Sequence, residues 1–262
     1  MRFTKMHGLG NDYLYVYGPV PENVEELCRK LSDRHFGAGS DGMIYISPSS
    51  KGDFQMRIFN ADGSEAKMCG NGIRCVGKYV YDKGYTDRTQ LRIDTLSGIK
   101  ELQLHLMGGK VKSVAVEMGQ AEAGEDLSLE VDGEQVCCTP VSVGNPHAVF
   151  FVERMEEAPL TTLGPKVERH PAFPDGVNVE FVQVLSPNEL RMRVWERGSG
   201  VTMACGTGAC ASAAAAIHKG LCRSDVPILV HLDGGTLEIQ IAPDGTVTMT
   251  GPAETVYEGE TD

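Results

Sequence analysis

No CxxC pair occurs in this 262-residue chain, and none of its eight cysteines, at 28, 69, 75, 137, 138, 205, 210 and 222, falls at zinc-finger spacing. No apolar run approaches the length of a membrane span. The first residues, Met1-Arg2-Phe3-Thr4-Lys5-Met6-His7-Gly8, lack the apolar core of a secretion signal. Low-complexity stretches and charged tails are missing too. Basic side chains are the minority, 24 Lys plus Arg against 36 Asp plus Glu, for a formal charge of −12. A surface of that sign repels phosphate backbones and anionic headgroups, which argues against nucleic-acid and membrane partners. The expectation is a cytoplasmic globular protein with reduced thiols, long enough for one large domain or two modest ones without disulfide or metal staples.

What is there reads mostly as short strands. Period-two or β-rich runs occur at 13–17, 43–46, 54–59, 90–94, 101–106 and 112–118, then at 136–143, 148–152, 177–184, 190–195, 226–232, 236–241 and 246–250. Gly, Pro, Asp or Asn punctuates nearly every gap. Helices are few. One is predicted over 21–31, with Val24, Leu27, Cys28 and Leu31 on one face and proline near its start. Two more start at glycine-rich cysteine motifs.

Internal repetition is the most informative feature. At an offset of 136, Met56, Arg57, Cys69, Gly70, Gly72, Lys83 and Gly84 fall on Met192, Arg193, Cys205, Gly206, Gly208, Lys219 and Gly220 without a gap. At an offset of 134, Gly10-Asn11 falls on Gly144-Asn145 and Asp41-Gly42 on Asp175-Gly176. Matches in this order imply two homologous halves of an α/β (α+β) fold, each a mostly antiparallel sheet wrapped around one central helix. The first half is placed at 1–117, rejoined by a C-terminal strand at 248–262, and the second at 118–247.

Each half holds one Cys-Gly-x-Gly turn opening a helix: Met68-Cys69-Gly70-Asn71-Gly72-Ile73-Arg74-Cys75 and Ala204-Cys205-Gly206-Thr207-Gly208-Ala209-Cys210. Small and apolar residues all round predict buried helices, closed by Lys83-Gly84 and Lys219-Gly220. A thiol at a helix N-terminus is expected to have a lowered pKa, and the neighbouring N–H groups can hold a carboxylate. A cleft between the halves would put one cysteine on each side of a bound carbon. That arrangement suits stereoinversion by two bases, one thiolate removing an α-proton and one thiol returning a proton to the opposite face. No glycine-rich phosphate loop tied to a cofactor lysine is present, so pyridoxal phosphate need not take part. The remaining cysteines read as structural: Cys75 and Cys210 lie inside the helices, while Cys28, Cys137, Cys138 and Cys222 read as small core residues.

With those motifs, the sequence closely resembles the diaminopimelate epimerases. The matching stretches are Lys5 to Asp12, Phe59-Asn60-Ala61-Asp62-Gly63-Ser64-Glu65, Met68 to Cys75, Gly144-Asn145-Pro146-His147, Val177-Asn178, and Glu196-Arg197-Gly198 followed by Ala204 to Cys210. The resemblance implies a cofactor-free epimerisation of LL-2,6-diaminopimelate to the meso form, in lysine and peptidoglycan precursor synthesis. It implies Cys69 and Cys205 as acid and base, His147 and Glu196 as groups tuning the thiols, and Asn11, Asn60, Asn145, Asn178, Glu196 and Arg197 as substrate ligands. The backbone of Gly70-Asn71 and Gly206-Thr207 would hold the reacting carboxylate. Arg197 can bind the far carboxylate bidentately, and Glu196 can accept from the far ammonium. No cofactor, no metal and a small-molecule substrate are expected, with a homodimer as the assembly.

His7 and Asp12 read as structural. Two positions depart from the family pattern: Val201, where many relatives carry an acidic or other side chain, and Gly42, where some place a substrate-facing glutamine. The alternatives are a racemase of another amino acid on the same scaffold, such as proline or histidine, and a non-enzymatic redox or metal-binding protein using the two thiols.

Overall fold

The computed structural model describes residues 1–261 and divides into two compact units. The first is Met1–Val116 rejoined by the chain from Gly251 onward; the second is Glu117–Thr250. Among the described residues no helix is long and apolar enough to cross a membrane.

In the first unit the strand Arg2–Gly8 lies between Glu254–Glu260 and Asn11–Tyr17, antiparallel to both. Asn11–Tyr17 then runs parallel to Gly42–Pro48, which pairs antiparallel with Phe54–Asn60. Phe54–Asn60 runs parallel to Gln90–Thr95, and antiparallel hairpins through Gly98–Met107 lead to Lys110–Gln120. Parallel neighbours need a crossover connection. Helix α1 (Val24–Ser32) and helix α2 (Gly70–Asp82) supply the two crossovers.

The second unit repeats this order. Glu134–Ser142 pairs antiparallel with Pro146–Phe151, which runs parallel to Asn178–Ser186. That strand is antiparallel to Glu189–Glu196, which runs parallel to Ile228–Leu232, and Gly235–Ile241 and Thr246–Pro252 finish antiparallel. A short helix α3 (Gly164–Glu168) and helix α4 (Gly206–His218) lie in the crossovers.

The elements follow from the residue pattern. Leu190, Met192 and Val194 alternate with less buried neighbours along Glu189–Glu196, as a strand with one core face requires. In α4 the residues from Gly208 to Ala216 are all buried, so the helix is wrapped by sheet on every side. Both α2 and α4 end at a lysine followed by a glycine at positive φ, Gly84 at 76° and Gly220 at 68°.

Four expectations need correction. The first helix starts at Val24, because Pro21 to Val24 forms a turn in which the Val24 N–H donates to the Pro21 carbonyl at 3.2 Å. The C-terminal segment is two strands, Thr246–Pro252 and Glu254–Glu260, interrupted at Ala253. Arg2–Gly8 and Leu127–Val131 are strands absent from the predicted set. Cys137 is exposed: adjacent strand residues face opposite ways, and Cys138 takes the buried face.

Candidate active site

Cys69 and Cys205 are the N-cap residues of α2 and α4, both with extended backbone. Each sulfur accepts a hydrogen bond at 3.3 Å from the N–H three residues on, Gly72 or Gly208. A cap of this kind occupies one of the donors a helix start leaves without a partner inside the helix. Glycine is required at the third position by close approach. A Cβ on Gly72 would stand 2.8 Å from Ile44 Cδ1, and one on Gly208 would stand 2.8 Å from Glu180 Oε1 and 3.2 Å from Cys205 Sγ.

In the first unit the Cys69 S–H donates to Asn11 Oδ1 at 3.2 Å. Asn11 is itself tethered, its Nδ2 donating to Asp41 Oδ2 at 2.8 Å. Arg34 holds Asp41 and Asp12 at 2.8 Å each, and Lys5 holds Asp12 at 2.7 Å. Burial pushes the Asp12 carboxyl up, but hydrogen bonds and charges from Arg34 and Lys5 outweigh it and hold the group below the usual range. Tyr13 is pushed well up by burial and by the nearby Cys69 sulfur, with its hydroxyl also against Asn11. Asn60 donates to Ser64 Oγ at 3.1 Å. Buried Asn71 accepts from Arg74 Nη1 at 3.0 Å, and the fully buried Arg74 reaches the Pro252 carbonyl at 3.1 Å, fastening the returning chain to α2.

Gly42 pairs with Asn60, and a Cβ at 42 would fall 2.1 Å from the Phe59 carbonyl oxygen. A glutamine there, which the family resemblance places in some relatives, needs a different strand path. Gly42→Ala is expected to destabilise the protein by about 1–3 kcal/mol through overpacking. Urea unfolding of the two proteins checks this; equal midpoints would refute the close approach.

In the second unit one chain of contacts leads to the thiol. Glu180 Oε1 lies 2.8 Å from His147 Nδ1, and His147 Nε2 lies 3.1 Å from Asn145 Oδ1. Asn145 Nδ2 donates to Thr207 Oγ1 at 3.3 Å, and that hydroxyl is 3.6 Å from Cys205 Sγ. Glu196 accepts from the Thr202 hydroxyl, and burial raises its carboxyl above the ordinary value. Asn178 uses both ends of its amide on backbone, donating to the Pro146 carbonyl at 3.1 Å and accepting from the Arg197 N–H at 3.0 Å. Arg197 is exposed, with Nη1 donating to the Asp175 carbonyl at 2.8 Å.

The helix-terminus expectation of a lowered thiol pKa fails at Cys205. Burial raises it well above the ordinary value, the Glu196 and Glu180 charges add to the rise, and the Thr207 and Gly208 hydrogen bonds oppose it without winning. Tyr13, Asp41, Arg34 and Glu180 were outside the predicted site. Of these, Glu180 carried the clearest signal, an acidic residue inside the apolar run Val177 to Val184.

The family model described as diaminopimelate epimerase matches residues 3–123 and 139–256. The chain belongs to the diaminopimelate epimerase family. It is 50% identical over 278 residues to the diaminopimelate epimerase of Acetivibrio thermocellus, covering 100% of this chain and 99% of that one. It is 52% identical over 264 residues to the diaminopimelate epimerase of Parabacteroides distasonis, covering 99% of this chain and 97% of that one. Among solved structures, a probable proline racemase from Agrobacterium radiobacter K84 superposes with a TM-score of 0.77 at 18% identity, covering 100% of this chain and 92% of that one. That likeness shows a shared fold. Membership makes this family member an isomerase acting on a small molecule.

Proposed function

We propose that the chain epimerises LL-2,6-diaminopimelate to the meso form by a two-base reaction without a cofactor, one thiol serving each face of the α-carbon. The observation that carries this is the duplicated cap: two 13-residue helices, each headed by a cysteine whose sulfur accepts from the N–H three residues on at 3.3 Å. The backbone N–H groups of Gly70-Asn71 and Gly206-Thr207 hold the carboxylate at the reacting centre. There they stabilise the charge that builds as the α-proton leaves. Cys205, kept as a thiol by burial and two carboxylates, is the proton donor in a turnover that Cys69 begins by taking the α-proton. The reverse direction exchanges the roles. Asn11, Asn60, Asn145 and Asn178 line the substrate, with His147 and Glu196 tuning the second thiol. The enzyme works in the cytoplasm as a homodimer, the commonest closed assembly, each half (1–117 with 248–262, and 118–247) contributing one thiol.

Arg197 recognises the distal carboxylate and Glu196 the distal ammonium. This separates diaminopimelate from amino acids with a cationic or apolar tail. Arg197→Gln is expected to raise KM roughly 10–100-fold with a smaller effect on kcat, since the distal end is bound equally before and during reaction. An unchanged KM would remove Arg197 from the site.

The test of the function is incubation of the reduced protein with LL-diaminopimelate in deuterated water. The meso isomer forms with deuterium only at the inverted carbon. Label entering another amino acid, with diaminopimelate untouched, would instead identify a racemase of that amino acid. Inversion without solvent label would exclude proton exchange through the thiols.

A further inference from the structure

The two halves contain an internal control for one residue. Glu180 and Ile44 occupy the same place in the duplicated scaffold. They are 136 positions apart, the offset that relates Cys69 to Cys205. In the first unit Ile44 is flanked by Tyr15 and Ile58; in the second Glu180 is flanked by Val149 and Val194. Both side chains reach the third residue of the thiol-bearing helix, each ending 2.8 Å from the point a Cβ would occupy on Gly72 or Gly208. The scaffold therefore accepts an aliphatic side chain here, and packing alone does not call for a carboxylate.

A carboxylate is expensive at this position. Glu180 is fully buried, and Oε2 has no hydrogen-bond partner. Burying such a group costs several kcal/mol unless something specific offsets it. What Glu180 has, and Ile44 lacks, is a histidine. Two residues beyond the paired asparagines the halves differ, with Tyr13 following Asn11 and His147 following Asn145. His147 is as buried as Glu180, and the two meet at 2.8 Å. A carboxylate and an amide oxygen both only accept hydrogen bonds, so the two contacts place a proton on each ring nitrogen, Nδ1–H donating to Glu180 and Nε2–H to Asn145.

We propose that Glu180 is a positioning residue for the Cys205 half of the site: it fixes the His147 ring through Nδ1, so that the His147–Asn145–Thr207 chain holds the Cys205 sulfur at the start of α4. The role deepens the two-thiol function and rests on it. Glu180 itself touches no substrate.

The experiment compares Glu180→Ile, which copies the other half, with Glu180→Gln, which keeps an acceptor for Nδ1–H and removes the charge. The expected result for Glu180→Ile is a fall in kcat of roughly 10–100-fold at nearly constant KM, with Glu180→Gln restoring kcat to within about 5-fold of the parent. Nitrogen NMR of the His147 ring gives a readout independent of turnover. Nδ1 is protonated in the parent and in Glu180→Gln, and loses that signature in Glu180→Ile. A folded Glu180→Ile with kcat within about 2-fold of the parent overturns the proposal, as does a Glu180→Gln protein no better than Glu180→Ile. Should Glu180→Ile fail to fold, Glu180→Gln decides: retention of Nδ1–H with near-parent kcat supports the role, and loss of either overturns it. A parent protein with no activity on LL-diaminopimelate would remove the two-thiol function instead, and the Nδ1 signature would still report whether the tether exists.

Discussion

Cys69→Ser and Cys205→Ser each lose inversion of LL-diaminopimelate by roughly 10²–10⁴-fold, the range general acid–base groups contribute. Serine is the better replacement than alanine because both positions cap a helix, and serine keeps an acceptor for the Gly72 or Gly208 N–H. An alcohol, however, is far too weak an acid to exist as the base at neutral pH. The variants differ from a simple loss of activity in one respect. With a single thiol left, a proton removed from one face can only return to the same face. Each variant therefore exchanges the α-hydrogen of one epimer with solvent while leaving its configuration intact, and the two variants act on opposite epimers. Proton NMR in deuterated water, run on LL- and meso-diaminopimelate separately, reads this directly. Inversion surviving within about 10-fold in either variant would show that its thiol is not one of the two bases.

The central helices were legible because their signals are local. A capping cysteine, two glycines, a small apolar stretch and a Lys-Gly ending all lie within about fifteen residues, and they occur twice. The repeat also carried information about the sheets, since the two units show the same succession of parallel and antiparallel pairs. What escaped was set by distant partners. Arg2–Gly8 includes Lys5 and His7, yet it is a central strand because the returning C-terminal strand covers its outer edge. Lys5 is tolerated there because Asp12 meets it.

Glu180 interrupts an apolar run in the sequence, and its partner His147 is brought beside it only by the fold. The direction of the Cys205 shift is likewise set by partners distant in sequence. A helix start favours a thiolate, worth at most about 2 kcal/mol, but burial and two nearby carboxylates work against the charge and prevail. Duplication gave two similar caps, and divergence around them gave the sulfurs different neighbours, Asn11 at Cys69 and Thr207 at Cys205.

Beyond the two capping cysteines, the other buried thiols act together on stability. The protein is expected to weaken steeply above pH 9. Burial pushes Cys28 and Cys75 up to about 11 and Cys138 up to about 12, from an ordinary value of 9.0. All three are fully or nearly fully buried. The sign follows from proton counting. Well below 9 the thiols are protonated in both folded and unfolded chains and contribute nothing to the pH dependence. Between 9 and about 11 the unfolded chain releases its protons while the folded one keeps them, so unfolding is favoured as pH rises. Each thiol then removes about 1 kcal/mol between pH 9 and 10, approaching a limiting slope of about 1.4 kcal/mol per unit, and the three together remove about 3 kcal/mol. That is a large part of the roughly 5–15 kcal/mol that holds a typical domain together. Cys205 shifts in the same direction and adds to the loss. Urea midpoints measured at pH 8, 9 and 10 under reducing conditions should fall slightly over the first step and sharply over the second. Cys138→Ala, although less stable at pH 8, should lose less between 9 and 10 because it has one fewer buried thiol to keep protonated. A flat midpoint through pH 10 would mean that these sulfurs ionise in the folded protein as readily as in the unfolded chain, and that burial does not control them.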